Sequence, residues 1–341
     1  MVQQQSLRRR ARKRLAYTAI FLFALILAAF LNLLTGPDGF NIGDIGNLIQ
    51  HKVRFIIVME QIRLPRAVAG ILAGALLGLS GAIMQGSLKN PLASPYTLGI
   101  SQAAAFGASF AIIILQAYSA KSSIGSNIGV GACAFLSSLI CMITILILGK
   151  ISSLSPGSMV LAGVGLGSLF HALTMFLQYF ASDLEVSATL FWTFGELGKA
   201  SWENIYIMAF IFIPIYIYFI FSHWKMDALS FGDDNAQSRG VEVDRFRFIS
   251  LLLSSLLSAI AVSFLGIIGF VGLIASHIVR MLVGSSHLSI ILLSPIVGSI
   301  LVLLADFVSK IIIKPVILPI GILTSFMGVP LFLYLLLSKA K

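Results

Sequence analysis

The stretch RRRARKRLAYTAIFLFALILAAFLNLL, residues 8–34, decides what kind of protein this is. Its first seven residues hold six cations, Arg8, Arg9, Arg10, Arg12, Lys13 and Arg14, and its last twenty, Leu15 to Leu34, hold no charge. About twenty apolar residues cross the hydrocarbon core of a bilayer as one helix. A basic cluster directly before such a run marks the cytoplasmic side. A secretory signal peptide starts in a similar way, but this run exceeds the usual apolar region and no small-x-small cleavage site follows cleanly. The segment therefore reads as a first membrane span with its N-terminus in the cytoplasm.

The rest of the chain agrees. Of 341 residues, 58% are hydrophobic and 11% charged, whereas soluble domains carry roughly 25% charge. A water-soluble fold of this size could not hide so much apolar surface. The net charge of +10 would suit a nucleic-acid binder, but the clustering of cations before the first span excludes that class. Two cysteines, Cys133 and Cys141, share one apolar run. Eight helical residues separate them by about 12 Å, too far for a disulfide.

Gly, Pro and charge clusters divide the chain into ten apolar runs: Leu15–Leu34, Phe55–Met84, Leu98–Gln116, Ile124–Leu148, Met159–Phe180, Ile205–Phe221, Phe248–Leu265, a short helix within Gly266–Gly284, Ile290–Val308 and Leu318–Leu337. Asp38–Asp44 and Ser182–Trp202 are polar connections. The fold class expected is all-α, a polytopic membrane protein of about ten transmembrane helices. Residues 1–14 form a basic cytoplasmic N-terminus, and 15–338 form a single transmembrane domain with a cytoplasmic loop at 223–247. Ten spans put both termini in the cytoplasm. The inner segments then hold 15 of the 23 Lys and Arg residues, as the charge rule requires. The outer eight are Lys52, Arg54, Arg63, Arg66, Lys121, Lys199, Lys310 and Lys314, more than a passive face needs. Gly70, Gly74 and Gly78, and again Gly163 and Gly167, recur every four residues, a device for close helix packing in lipid.

Chemistry-bearing motifs are few. No phosphate-binding Gly-x-x-x-x-Gly-Lys-Ser/Thr loop occurs, so an ATP-driven process would need a separate ATPase. Gly78-Leu79-Ser80-Gly81 matches the Gly-x-Ser-Gly of an intramembrane serine protease, but Ser80 also continues the glycine packing face. The five histidines are scattered without metal-ligand spacing. Asp306 lies in a late apolar run, where an ionisable group is either functional or paired; Lys310, four residues on, offers an ion pair. Asp233-Asp234-Asn235-Ala236-Gln237-Ser238-Arg239-Gly240 reads as a two-turn helix, with acids favoured at its start and Gly240 ending it. Such a helix suits a docking partner, although a solvated loop would share the composition.

Taken together, four blocks resemble the permeases of binding-protein-dependent ABC importers for iron–siderophores, haem and cobalamin. They are Arg63-Leu64-Pro65-Arg66 with Gly81–Gln85, Asn90–Pro95 and Leu98–Ser101; the loop Asp234–Val241; Gly269–Ile274 with His277 and Arg280; and Ala305-Asp306 with Leu318–Gly321 and Gly328–Pro330. The chain departs from the family pattern at Ser276, at Asp234-Asn235-Ala236, at Ser286-His287-Leu288 and at Ile317.

The resemblance implies a non-enzymatic permease in the cytoplasmic (inner) membrane of a prokaryote, working as a homodimer or pseudo-symmetric dimer. It implies no cofactor in this chain: two ATP-binding cassette subunits would bind ATP and Mg, and an extracytoplasmic substrate-binding protein would deliver cargo. Asp233, Asp234, Asn235, Ala236, Gln237, Arg239 and Gly240 would couple to the ATPase. Arg63, Arg66 and Lys310 would grip carboxylates of the binding protein, a reading that Arg's bidentate fit to carboxylates favours over the plainer one in which Arg63 and Arg66 anchor a helix at lipid headgroups. Ser155, Gly157 and Ser158 would form the inner constriction, and the fifth and tenth spans would line the path. Iron–siderophore is the first expectation for cargo, with cobalamin, haem or an oxyanion as alternatives. A secondary transporter would need more intramembrane acids than Asp306.

Overall fold

The computed structural model describes residues 2–36, 39–40, 53–117, 126–151 and 155–338. The polar Asp38–Asp44 connection and the cations Lys52, Lys121, Lys339 and Lys341 lie wholly or mostly outside these residues. In chain order the helices are α1 (Val2–Leu33), α2 (Val53–Val58), α3 (Leu64–Ser87), α4 (Ile100–Ser109), α5 (Ser126–Ile151), α6 (Pro156–Tyr179), α7 (Asp183–Thr193), α8 (Trp202–Ser230), α9 (Asp233–Ser238), α10 (Val243–Leu265), α11 (Val271–Leu282), α12 (His287–Ile311) and α13 (Ile320–Ser338). A π-helical turn, Met59–Arg63, joins α2 to α3 without a break, and another, Phe110–Ile114, extends α4. Strands Thr35–Gly36 and Gly39–Phe40 pair antiparallel as a minimal hairpin.

Seven of these helical stretches are long and apolar enough to cross a membrane, and three shorter apolar helices, Ile100–Ile114, Val271–Leu282 and Ile320–Pro330, add to them. The chain is an all-α, multi-span membrane protein. The basic N-terminal residues are not a separate tail: α1 runs through them from Val2.

α3 is the centre of the bundle. It packs against α8, α10, α11 and α12, and its residues from Ala73 to Ser87 are buried. The glycine spacing explains how. A Cβ on Gly74 would land on the backbone of Gly298 and Ser299 of α12, and one on Gly78 would strike Ser294. Two helices meet here backbone to backbone, which lipid favours through dispersion contacts and not through the hydrophobic effect. Gly163 and Gly167 of α6 sit against Leu98 and Gly99 in the same way. Ser80 is fully buried and donates to the Ser254 carbonyl of α10 at 2.6 Å. It therefore belongs to the packing face.

Candidate functional site

Two ionic clusters mark the two ends of the bundle. At the end where α3 begins, Arg66 is buried against Asp306 of α12. Its Nε and Nη2 donate to Asp306 Oδ1 at 3.0 and 2.8 Å. Lys310 Nζ lies 2.8 Å from Asp306 Oδ2 and donates to Asn32 Oδ1 of α1 at 2.9 Å. Asn32 in turn donates to the Leu303 carbonyl at 2.7 Å. One carboxylate thus holds two cations, and α1, α3 and α12 are fastened together.

Two of the three cations named for docking, Arg66 and Lys310, are buried within the chain. Arg66 is 8% exposed, Lys310 5% and Asp306 0%, so neither Arg66 nor Lys310 presents its charge on an outer rim. The i,i+4 pair of Asp306 with Lys310 is present; Arg66, 240 residues away in sequence, completes it. Arg63 is half-buried and donates from Nη1 to the Leu33 carbonyl at 2.8 Å.

At the opposite end lies α9. Glycines in the left-handed region bracket it, Gly232 at φ 112° and Gly240 at φ 80°. Gly240 N–H donates to the Gln237 carbonyl and Val241 N–H to the Ala236 carbonyl, the paired bonds that close a helix C-terminus. Ala236 is buried, while Asp234, Asn235, Gln237 and Arg239 are exposed. The helix shows one small apolar contact to the bundle and a mixed-charge face outward.

Asp233 starts this helix and faces inward. Its Oδ1 accepts from Lys89 at 2.6 Å, and both its oxygens accept from Arg247 Nη2, at 2.9 and 3.0 Å. Partial burial pushes its carboxyl up, but the hydrogen bonds and charges of Lys89 and Arg247 outweigh that and hold it below its ordinary value. Nearby, His287 N–H donates to Asp227 Oδ1, and its Nδ1 lies 2.9 Å from the same oxygen. The Ser286-His287-Leu288 departure therefore fastens α12 to the end of α8.

Ser155 caps α6 at the same end. Its hydroxyl accepts from Ser158 N–H at 3.2 Å, as a helix N-cap should, and Pro156 suits the first turn. Gly157 faces open space. Further along α6, Ser168, His171 and Met175 are exposed at i, i+3 and i+7. A separate cleft of about 650 Å³ is lined by Tyr96, Phe194, Ile267, Gly321, Phe326 and Pro330, so α13 forms one of its walls. Ser276, where the family pattern has Pro, donates back to the Gly272 carbonyl at 2.8 Å inside α11.

The FecCD transport family model matches residues 24–338. The protein MJ0087 of Methanocaldococcus jannaschii, described as an ABC transporter permease, is 45% identical over 97% of this chain and 96% of its own. The Fe(3+)-citrate import system permease protein YfmE of Bacillus subtilis is 37% identical over 86% of this chain and 85% of its own. A solved structure described as an inward-facing metal-chelate type ABC transporter superposes with a TM-score of 0.82 at 29% identity, covering 93% of this chain and 97% of that one.

Proposed function

The chain belongs to the FecCD transport family, and on that premise we propose that it is the permease of an ABC importer that moves a ferric chelate, an iron–siderophore complex first among them. The N-terminus, α9 and the C-terminus lie in the cytoplasm; two copies enclose the path; a separate ATPase pair docks below and a binding protein above. The observation that carries this reading is α9 itself. It is a six-residue helix, far too short to be stable alone, yet it is capped at both ends by glycine and shows a polar face outward. A partner that reads that face gives it a purpose.

The path would run beside α6 and α13. What supports this is the exposed His171, with Ser168 and Met175 near it on the largely exposed α6: a histidine at mid-span suits water or cargo better than lipid. Ser155, Gly157 and Ser158 would narrow its inner end. The relative named for Fe(3+)-citrate supports iron as the cargo metal.

Docking of the binding protein falls to Arg63 in this reading, with Arg66 and Lys310 holding the frame behind it. Charge complementarity of this kind sets register and encounter rate. In proteoliposomes holding the chain with its co-purified ATPase, Arg63→Glu should abolish stimulation by the binding protein and Arg63→Lys should retain it. Full stimulation in Arg63→Glu would remove the docking role. Uptake of ⁵⁵Fe-citrate, a ⁵⁵Fe-siderophore, haem and cobalamin, compared side by side, decides the cargo.

A further inference from the structure

α9 meets α8 and α10 through Gly232 and Gly240, both in the left-handed region, where glycine bends most freely. A Cβ on Gly240 would touch nothing within 4 Å. The backbone therefore enters and leaves α9 through glycine at both ends. Ala236 and Val241 add a small buried contact. The stiffer link is ionic.

Arg247, on the first turns of α10, is 1% exposed. One side of its guanidinium holds Asp233 of α9; the other side donates from Nε to the Ser87 carbonyl at 3.2 Å. Ser87 is the last residue of α3. Lys89, two residues beyond, takes the left-handed conformation at φ 48° and reaches the same carboxylate at 2.6 Å. The chemistry suits a rigid strut. A guanidinium is planar, always charged, and donates in two fixed directions. A cation is also favoured at the C-terminal carbonyls of α3 by the helix dipole.

We propose that Arg247 is the positioning residue that carries movement of α9 into α3. A push on α9 passes from Asp233 through the guanidinium to the end of α3, and from there to the helices packed around it. The inference rests on α9 being the helix that the ATPase moves, and it goes further by naming the route inward.

The test uses the chain with its ATPase in nanodiscs, in a Cys133→Ser, Cys141→Ser background. Nitroxides at the exposed positions Gln237 and Leu92 report the spacing of α9 and the turn after α3 by pulsed electron resonance. The unsubstituted pair should give a narrow distribution that ATP–Mg–vanadate leaves unchanged, because both labels move together. Arg247→Met should widen it by at least about twofold and make it respond to nucleotide. Lys89→Gln should do so more weakly, and Asp233→Glu, which keeps a carboxylate opposite Arg247, should keep the narrow form of the parent. An Arg247→Met distribution as narrow as the parent, in a complex that still hydrolyses ATP, would overturn the route. A parent chain that retains no ATPase would instead sink the importer reading beneath it.

Discussion

Asp306→Asn should be the most damaging single change in the buried charge cluster, and the structure says why. Each cation lies 2.8 Å from the shared carboxylate, where a unit pair is worth roughly 6 kcal/mol at an effective dielectric of about 20 before desolvation. The two cations share one acid, so they also repel each other. Asp306→Asn removes both attractions, keeps the repulsion and leaves two buried charges uncompensated, for an expected loss of about 3–5 kcal/mol. Lys310→Met removes one attraction together with the repulsion and relieves a buried ammonium. What remains is an Asn32 oxygen without its donor, a loss of about 1–3 kcal/mol. Arg66→Met should fall between them. The assay is equilibrium unfolding in mixed SDS micelles, followed by tryptophan fluorescence, with the three variants compared at one pH. If Lys310→Met proves as damaging as Asp306→Asn, the picture of one acid balancing two cations is wrong.

Two further outcomes follow from the packing and the charges. Gly74→Ala and Gly298→Ala place a methyl group on the facing backbone and should each cost about 1–3 kcal/mol, visible as a lower unfolding midpoint in the same micelles; a neutral result would mean that the α3–α12 contact is looser than drawn. The carboxyl of Asp233 is held below its ordinary 3.8. The stability it confers is therefore complete above pH 3.8 and is lost only as pH falls through its lower, folded value. The Gln237–Leu92 spacing should accordingly be the same at pH 8 and pH 5, and a widening by pH 5 would contradict that sign.

Much of the architecture was legible because lipid imposes a simple rule. Helices must be long and apolar, and their ends must carry charge, Gly or Pro, so the ten runs map onto the observed helices, with two large shifts: α1 starts at Val2 and α8 continues to Ser230. The glycine spacing of α3 also foretold its close contact. α7 was missed because its composition is mixed, yet Ser182 and Glu185 form a capping box, a local signal that sequence reading can use. The π-turn before Leu64 left no comparable mark. The placement of Arg66 and Lys310 went astray for a deeper reason. Their positions along the chain put both at one end of the bundle, but burial depends on which helix lies opposite, and Asp306 meets Arg66 across 240 residues of sequence. The residues of α9 showed the same limit: the short helix and its terminal Gly240 could be read locally, whereas the inward turn of Asp233 toward Lys89 and Arg247 could not.

The two ionic clusters are joined by one object. α3 spans 24 residues, about 36 Å of helix, with Arg66 fastened to α12 at one end and Ser87 fastened to Arg247 at the other. Between them the glycines of α3 and α12 touch backbone to backbone, so neither helix can slide without a steric clash. A packed, fastened pair of this kind moves as a body and does not flex, because close-packed interiors have few intermediate states. α6 is built differently: most of its surface is exposed, and its packing partners within the chain are chiefly α4 and α5. If force enters at α9, the α3–α12 pair is the lever, and α6, packed chiefly on α4 and α5, is not fastened to it. Opening and closing a path then requires no bending of any helix, only a tilt of the fastened pair that changes its distance from α6. The ionic clusters matter to transport under this scheme because they keep the lever rigid, and a protein that lost either one would spend the motion of α9 locally.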